Sequence, residues 1–220
     1  MDKKFNLGTQ FIPVSKDSEL VDMFTNLTSE ALNLNFRTDA ELKKVINDYV
    51  DLSFKKSIYN FEVLGDVATK SKKSLKQLKN SDFEIIKINN KFSTTKLKKI
   101  SEKTIKNEAS KVLAVFDSFY ADIKKNVELG TLAENKDSLE ARAEIINEVE
   151  SSRLTNEANK QLAVADGFDS WVWGASDNEN TREEHEQYYG EVFDINEVPD
   201  VGLPAEAPNC GCQIIFIKSA

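Results

Sequence analysis

Residues 97–130, LKKISEKTIKNEASKVLAVFDSFYADIKKNVELG, form the most regular stretch of this sequence. From Ile105 onward its apolar residues are spaced by three or four, so they share one face of an α-helix. The helix is predicted to begin after Ser93 or Thr94 and to stop at Gly130, because glycine commonly follows the last helical residue. Its length, about nine turns at roughly 3.6 residues each, sets a mostly helical fold.

Two helices are predicted before this stretch. Apolar residues recur at helical spacing behind Asp17 or Ser18, which predicts a helix to about Leu34. Thr38-Asp39-Ala40-Glu41 is a capping box, in which the threonine and glutamate side chains satisfy backbone N–H groups of the first helical turn. We therefore expect a long second helix that stops at Gly65.

One more helix is predicted after the regular stretch. Asp137-Ser138-Leu139-Glu140 resembles a capping box and predicts a helix that runs to about Ala163. One face of that helix carries a mixed charged and apolar line, which solvated pairs at i,i+3 and i,i+4 explain equally well. Two of the four arginines of the chain, Arg142 and Arg153, lie on this line, so fixed guanidinium geometry is a second interpretation.

The composition describes a folded but electrically uneven protein. With 220 residues, 40% of them hydrophobic, the chain can bury a core as one domain or two small ones. A net charge of -8 argues against a general nucleic-acid binder. Lysines nevertheless dominate from Lys70 to Lys106, which indicates either a solvated helix face or a contact with DNA or an acidic partner. The candidate DNA contacts are Lys70, Lys72, Lys73, Lys76, Lys79, Lys96, Lys98 and Lys99.

The start of the chain gives no signal for export. No apolar core follows the charges of residues 1–6, and no stretch reaches the length needed to span a bilayer, so we expect a cytoplasm-like compartment and no membrane partner. The first sixteen residues look irregular and are expected to form an arm that docks on a neighbour. Residues 66–92 predict a lysine-rich helix that continues into a connecting segment.

The last fifty residues collect the rare residue types of the chain. Trp171, Trp173 and Ala175 alternate with small residues, as in a half-buried strand, and a second short strand is predicted at Val192-Phe193. Residues 181–189 are expected to form a short helix or turn. Three prolines favour an extended loop over residues 196–209, and a closing strand is predicted for residues 212–217.

Both cysteines and the only histidine lie in this terminal module. In extended backbone, residues two apart point the same way, so the thiols of Cys210 and Cys212 converge. With His185 and either Asp177 or another carboxylate, they would complete the four ligands that zinc accepts. The alternative is a packed pair of reduced thiols beside a hydrogen-bonded histidine, because C-x-C with one histidine lacks paired C-x-x-C spacing.

No known catalytic motif accompanies these residues. The sequence contains no phosphate-binding loop, dinucleotide fingerprint or nucleophile elbow. Nothing beside Cys210 or Cys212 favours a nucleophilic cysteine–histidine pair. We therefore predict a protein that is not an enzyme.

The order of residues from Arg142 to Cys212 resembles the Mu F-like minor head proteins of tailed phages, also called phage head morphogenesis proteins. The matching residues begin on the predicted helix at Arg142, continue with Trp173 and His185, and end at Cys210 and Cys212. Val149 stands where the family usually has threonine, and Gly211 replaces the arginine between the cysteines. The matching residues outside the candidate metal ligands are Arg142, Glu150, Arg153, Asn156, Trp173, Arg182 and Gly190.

The resemblance implies a fold and a role. The expected fold is α+β, mostly α, with a helical region over residues 1–135 and a Mu F-like domain with a short antiparallel sheet over residues 136–220. The implied function is that of a minor structural protein of the phage head, present in more than one copy, in contact with the portal and inner capsid, and acting in head assembly and DNA packaging or delivery. Two alternatives stay open: a toxin-like or nucleic-acid-processing effector that uses the module as a delivery tag, and a zinc-stabilised binding module of a host protein.

Overall fold

The structure, a computed structural model, describes residues 5–8, 18–67, 84–86, 94–174, 182–204, 206–207 and 210–219. The fold is α+β and mostly α, as the sequence predicts. The helices are α1 (Ser18–Leu32), α2 (Asp39–Val67), α3 (Thr94–Leu129), α4 (Lys136–Asp166) and α5 (Glu183–Glu186). The strands are β1 (Phe5–Gly8), β2 (Glu84–Ile86), β3 (Ser170–Gly174), β4 (Val192–Asp194) and β5 (Gln213–Ser219).

Helices α1 to α4 pack as a bundle around one apolar core. Their apolar faces meet with aromatic rings at the centre, where Phe24 stacks on Tyr49 at 4.0 Å between ring centroids and tilts against Phe116 at 5.3 Å. Helix α4 contacts each of the other three helices. The helix that carries the resemblance to the Mu F-like family is therefore central to the bundle.

The capping box at the start of α2 is confirmed. The backbone N–H of Thr38 donates to Glu41 Oε2 at 2.9 Å, and the backbone N–H of Glu41 donates to Thr38 Oγ1 at 3.4 Å. The helix continues past the predicted stop at Gly65 and ends at Val67, a difference within the usual uncertainty of helix ends.

The turn between α3 and α4 is partly as predicted. Gly130 ends α3 with a φ of +70°, a left-handed conformation that favours glycine. The helix predicted to start at Asp137 is confirmed to within one residue, since α4 begins at Lys136, but the capping box predicted there is wrong because Asn135 is the N-cap residue. The side chain of Asn135 makes no cap and instead donates to Asn126 Oδ1 at 2.7 Å. That bond orders the turn in place of a capping box.

The antiparallel sheet of the terminal module is confirmed and is larger than expected. Strand β3 pairs antiparallel with β4 on one side and with β5 on the other. On its far side β5 pairs antiparallel with β1, which itself pairs parallel with β2, so the sheet order is β2-β1-β5-β3-β4. The irregular arm expected at the start of the chain is wrong for residues 5–8, which form an inner strand of the sheet between β5 and β2.

Two further sequence expectations in the sheet need correction. Residues 84–86 form strand β2 where a helix running into a connecting segment was expected. Strand β3 is buried on both faces, because Trp171 and Trp173 on one face and Val172 on the other are each at most 2% exposed. Neighbouring strands on both sides and packing on both faces remove the solvent-exposed face that alternation normally indicates.

Across the described residues, no helix is long and apolar enough to cross a membrane.

Helix α4 leads directly into the module, since Gly167 ends it with a φ of +87° and donates its N–H to the carbonyls of Ala163 and Val164. Phe168, Trp171 and Phe193 then form the apolar core of the module with Ala163 of the helix. One continuous helix thus fixes both the bundle and the sheet.

Candidate metal centre

His185, Cys210 and Cys212 come together as the sequence suggested, and we call them the His–Cys–Cys cluster. The Nδ1 atom of His185 lies 3.4 Å from the sulfur of Cys210 and 3.7 Å from the sulfur of Cys212. All three candidate ligand atoms lie within 4.8 Å of one another. The imidazole and the Cys212 thiol are both 2% exposed, so the cluster is largely shielded from water.

The aromatic residues of the module hold His185 in place. The ring of Trp173 meets the imidazole edge-on at 5.3 Å and stacks on Tyr188 at the same distance. The N–H of Gly190 donates to the carbonyl of Trp173 at 2.9 Å, with Gly190 at a φ of +77°. The left-handed glycine therefore returns the chain against β3 and fixes α5, which carries His185, over the tryptophan.

The surroundings of Cys212 favour its protonated thiol. A hydrogen bond with Cys210 and burial both raise the pKa of the Cys212 thiol far above its usual range. Trp173 and Tyr189, whose hydroxyl lies 3.9 Å from the sulfur, act weakly in the opposite direction on that pKa. The indole N–H of Trp173 has no acceptor at normal hydrogen-bond geometry, which is consistent with a long and weak contact to sulfur. Such a thiol is a poor nucleophile until a cation displaces its proton.

The donor set fits a soft divalent cation. One imidazole nitrogen and two sulfurs are ligands that zinc accepts, and zinc binding would deprotonate both thiols. With Nδ1 facing the sulfurs, Nε2 of His185 points to Glu184 Oε1 at 4.0 Å. A carboxylate bonded to the outer nitrogen commonly orients a metal-binding imidazole, but at this distance Glu184 is near Nε2 without a hydrogen bond to it. Asp177, the fourth ligand suggested by the sequence, lies outside the described residues.

Arg142 joins α4 to α3 near the turn. Its guanidinium forms an ion pair with Asp122, donates to Ser118 Oγ at 3.1 Å and lies over the Phe119 ring at 5.8 Å from the centroid. The side chain remains 37% exposed. Arg142 therefore ties the two helices of the hairpin together at the surface.

Arg153 occupies a more buried place on the same helix. Its guanidinium forms an ion pair with Glu150 and reaches Glu108 of α3 at 3.1 Å. The side chains of Glu108 and Glu150 are 3% and 8% exposed. Lys111 adds a second cation, with its Nζ 2.7 Å from Glu108. A network with two carboxylates and two cations is balanced in charge, as burial requires.

Asn156 links α4 to the proline loop, which we define as residues 195–212. Its Nδ2 donates to the carbonyl of Pro204 at 2.8 Å, and Asn156 is 2% exposed. Near this bond, burial raises the pKa of the Glu206 carboxyl, while Arg153 lowers it by a smaller amount. The polar residues of α4 therefore contact both α3 and the loop that leads to the cysteines.

The remaining candidate residues are more dispersed. Arg182 is exposed and lies 3.7 Å from Glu184. Lys98 and Lys99 are exposed on α3, and Lys98 lies 3.9 Å from Glu102. The other candidate DNA contacts have side chains outside the described residues: Lys70, Lys72, Lys73, Lys76, Lys79 and Lys96.

Sequence reasoning missed the partners of the α4 arginines. Glu108 falls on the apolar stripe of α3, four residues before Val112, and a charged residue on a buried face indicates a paired charge. Ser118 and Asp122 carry no such signal because both are ordinary residues of an exposed helix face. Nothing in the sequence marked Glu206, because its burial depends on the loop packing against α4.

The fold and the cluster together define a class. This is an α+β protein in which a helical bundle carries a small mixed sheet, with a histidine and two cysteines gathered at the end of a long loop. Residues 118–215 match the family model described as Phage Mu protein F like protein. This match supports a Mu F-like phage head protein.

The family match covers slightly less than half of the chain and includes the contacts of Arg142, the bond from Asn156 to Pro204 and the His–Cys–Cys cluster. It begins at Ser118, which Arg142 contacts, and it ends within β5. No curated protein and no solved structure gives a significant match. The matched unit therefore contains the end of α3 as well as α4 and the module, and a division at residues 135 and 136 remains a prediction.

Proposed function

We propose that this protein is a minor structural component of a tailed-phage head that associates with the portal and inner capsid. The observation that carries the proposal is the Mu F-like match over residues 118–215, whose polar residues lie at helix–helix and helix–loop contacts. Polar residues that hold helices and loops together have a structural role, which fits a structural protein better than an enzyme. Such a protein acts in head assembly and in DNA packaging or delivery, within the virion and, before that, in the host cytoplasm.

Association with the portal is tested by co-purification. The full-length protein carries an affinity tag, phage heads are assembled in the host, and material bound to the tag is analysed by mass spectrometry. Portal protein is expected in amounts proportional to the tagged chain, because a minor head component binds in a fixed number of copies. Absence of the chain from heads, together with no portal in the bound material, would overturn the proposal.

The basic half of α3 supplies the proposed contact with packaged DNA. Lys98 and Lys99 are exposed on this helix, and each lysine contact with a phosphate releases a counterion. Replacing both with glutamate should lower the slope of log binding constant against log salt by about 2. Lys43 and Lys44, also adjacent and exposed, provide a control on α2. Equal effects of the two double substitutions would contradict a specific role for α3.

The His–Cys–Cys cluster is proposed as a zinc site that stabilises the module. When bound, zinc would be held by His185, Cys210 and Cys212, with a carboxylate such as Asp177 as the fourth ligand. Elemental analysis of the full-length protein should find one zinc ion per chain, and Cys212→Ser should lose it. Folded protein that contains no zinc after purification in zinc-supplemented medium would refute the site.

A further inference from the structure

The proline loop carries both thiols of the cluster, so its position decides where they point. Side chains outside the loop donate hydrogen bonds to its backbone. Trp171 Nε1 donates to the carbonyl of Glu197 at 3.3 Å, and Asn156 Nδ2 donates to that of Pro204 at 2.8 Å. The Asn156 bond is the shorter of the two, and it lies nearer to Cys210 along the chain.

The Asn156 bond joins two buried groups. Asn156 is 2% exposed and Pro204 is also buried, so water is a poor substitute for either partner. A buried carbonyl needs a donor, and a proline carbonyl at this place lies outside any helix or strand that would supply one. The bond from Asn156 therefore fixes the distance between the loop and α4 at Pro204.

Arg153 lies three residues before Asn156, on the same face of α4. Its charge acts on the carboxyl of Glu206, whose Oε2 accepts the N–H of Leu203 at 3.0 Å. The loop is thus turned back on itself at the point where Asn156 holds it. Helix α4 engages this turn through a hydrogen bond and through charge.

The held turn continues directly to the cluster. The N–H of Cys210 donates to the carbonyl of Ala207 at 3.0 Å, and the Cys210 sulfur lies 3.4 Å from His185 Nδ1. Because Pro204 lies only six residues before Cys210, a shift of the turn would change where the Cys210 thiol is presented to His185. Partners bonded directly to a metal ligand commonly change metal affinity by about 10–100-fold when removed, and a bond that holds the ligand-bearing loop should act in the same direction with a smaller effect.

We propose that Asn156 is a positioning residue for the His–Cys–Cys cluster, which it holds in register with His185 by binding the Pro204 carbonyl. The effect on metal affinity rests on the proposed zinc site. The effect on the placement of the thiols does not depend on zinc.

The experiment compares Asn156→Ala with Asn147→Ala in the full-length protein. Asn147 is also a buried amide of α4, but its Nδ2 bonds to Thr28 at 3.2 Å and Thr25 at 3.3 Å on α1. Asn156→Leu is a second variant, which keeps the side-chain volume and guards against loss of folding in the alanine variant. Zinc affinity is measured by competition with a chelator, and thiol accessibility is measured by the rate of iodoacetamide labelling of metal-free protein.

Both Asn156 variants should weaken zinc binding by up to about 10-fold, the lower end of the range for direct partners of metal ligands, and should speed labelling of Cys210 and Cys212. Asn147→Ala should lower the denaturation midpoint while zinc affinity and labelling stay at wild-type values. Wild-type affinity and labelling in the Asn156 variants, or the same changes in Asn147→Ala, would overturn the inference. If the wild-type protein binds no zinc, the proposed site fails, and the labelling comparison alone decides the role of Asn156.

Discussion

The bundle and the terminal module are stabilised in different ways. In the bundle, α1 to α4 bury rings and aliphatic side chains that recur along each helix, so many positions contribute similar contacts. In the module, strands from distant parts of the chain pair around Trp171 and Trp173, and single residues fix the path of the loop. The bundle therefore follows a repeating pattern, whereas the module depends on particular residues.

This difference explains where the Mu F-like residues lie. Asn156, Trp173, His185 and Gly190 each make a contact that another residue type would not reproduce. Core positions of the bundle accept other apolar residues of similar volume at little cost. A substitution at one of these residues should thus affect the cluster, and an equally large substitution in the apolar core of the bundle should affect stability alone.

The largest expected effect separates Trp173 from Phe116, which are both fully buried. Either residue changed to alanine should lower the free energy of unfolding by about 3–5 kcal/mol, as seen for buried aromatic residues. Only Trp173→Ala should also speed labelling of the cysteines, because it removes the ring beside His185. Urea denaturation and thiol labelling measure the two effects, and rapid labelling in Phe116→Ala would show that the regions are not separate.

A somewhat smaller effect distinguishes the two arginines of α4. Arg153→Ala leaves Glu108 and Glu150 buried without their shared cation and should destabilise by about 3 kcal/mol. Arg142→Ala removes a half-exposed ion pair with Asp122 and should cost about 1 kcal/mol or less. Denaturation curves of both variants test this ranking, and a larger loss for Arg142→Ala would contradict it.

Two left-handed glycines sharpen the comparison further. Gly130→Ala places a methyl group in open space, so only the backbone strain of about 1–2 kcal/mol is expected. Gly190→Ala adds the same strain beside the bond from Gly190 to Trp173 and should also weaken zinc binding. Zinc titration of the two variants checks this prediction. Equal zinc affinities would show that Gly190 does not help to position the cluster.

The smallest effect concerns Glu206 and depends on pH. Because burial raises the pKa of this carboxyl, its neutral form stabilises the fold below pH 4.5, the ordinary pKa of glutamate, and this stabilisation is lost as pH rises through the folded-state pKa. Glu206→Gln should therefore raise the melting temperature at pH 7 and leave it nearly unchanged in acid. A variant that is less stable than the wild-type protein at pH 7 would mean that the charged form is favoured.

The sequence predicted most of the bundle because helix periodicity is local. Thr38 and Glu41 marked the start of α2, and Gly130 marked the end of α3. The joining of β1 and β2 to the sheet was not predictable, since pairing with β5 connects residues that share no local pattern.

The sequence predicted the residues of the candidate site better than the residues that hold them in place. Convergence of Cys210 and Cys212 on His185 followed from their spacing and rarity. The roles of Asn156 and Glu206 did not, because both depend on a loop that meets α4 only in the folded chain. The lysine-rich residues 68–83 lie outside the described part of the chain, so their contact with DNA stays a prediction.

The most direct test of the head-protein account is the yield of DNA-filled heads from phage that lack this protein. The account predicts a strong loss of filled heads, full restoration by the wild-type chain, and poor restoration by a His185→Ala and Cys212→Ser double variant, because the module would lose its fixed loop. Wild-type numbers of filled heads in the absence of the protein would contradict a role in head assembly and packaging.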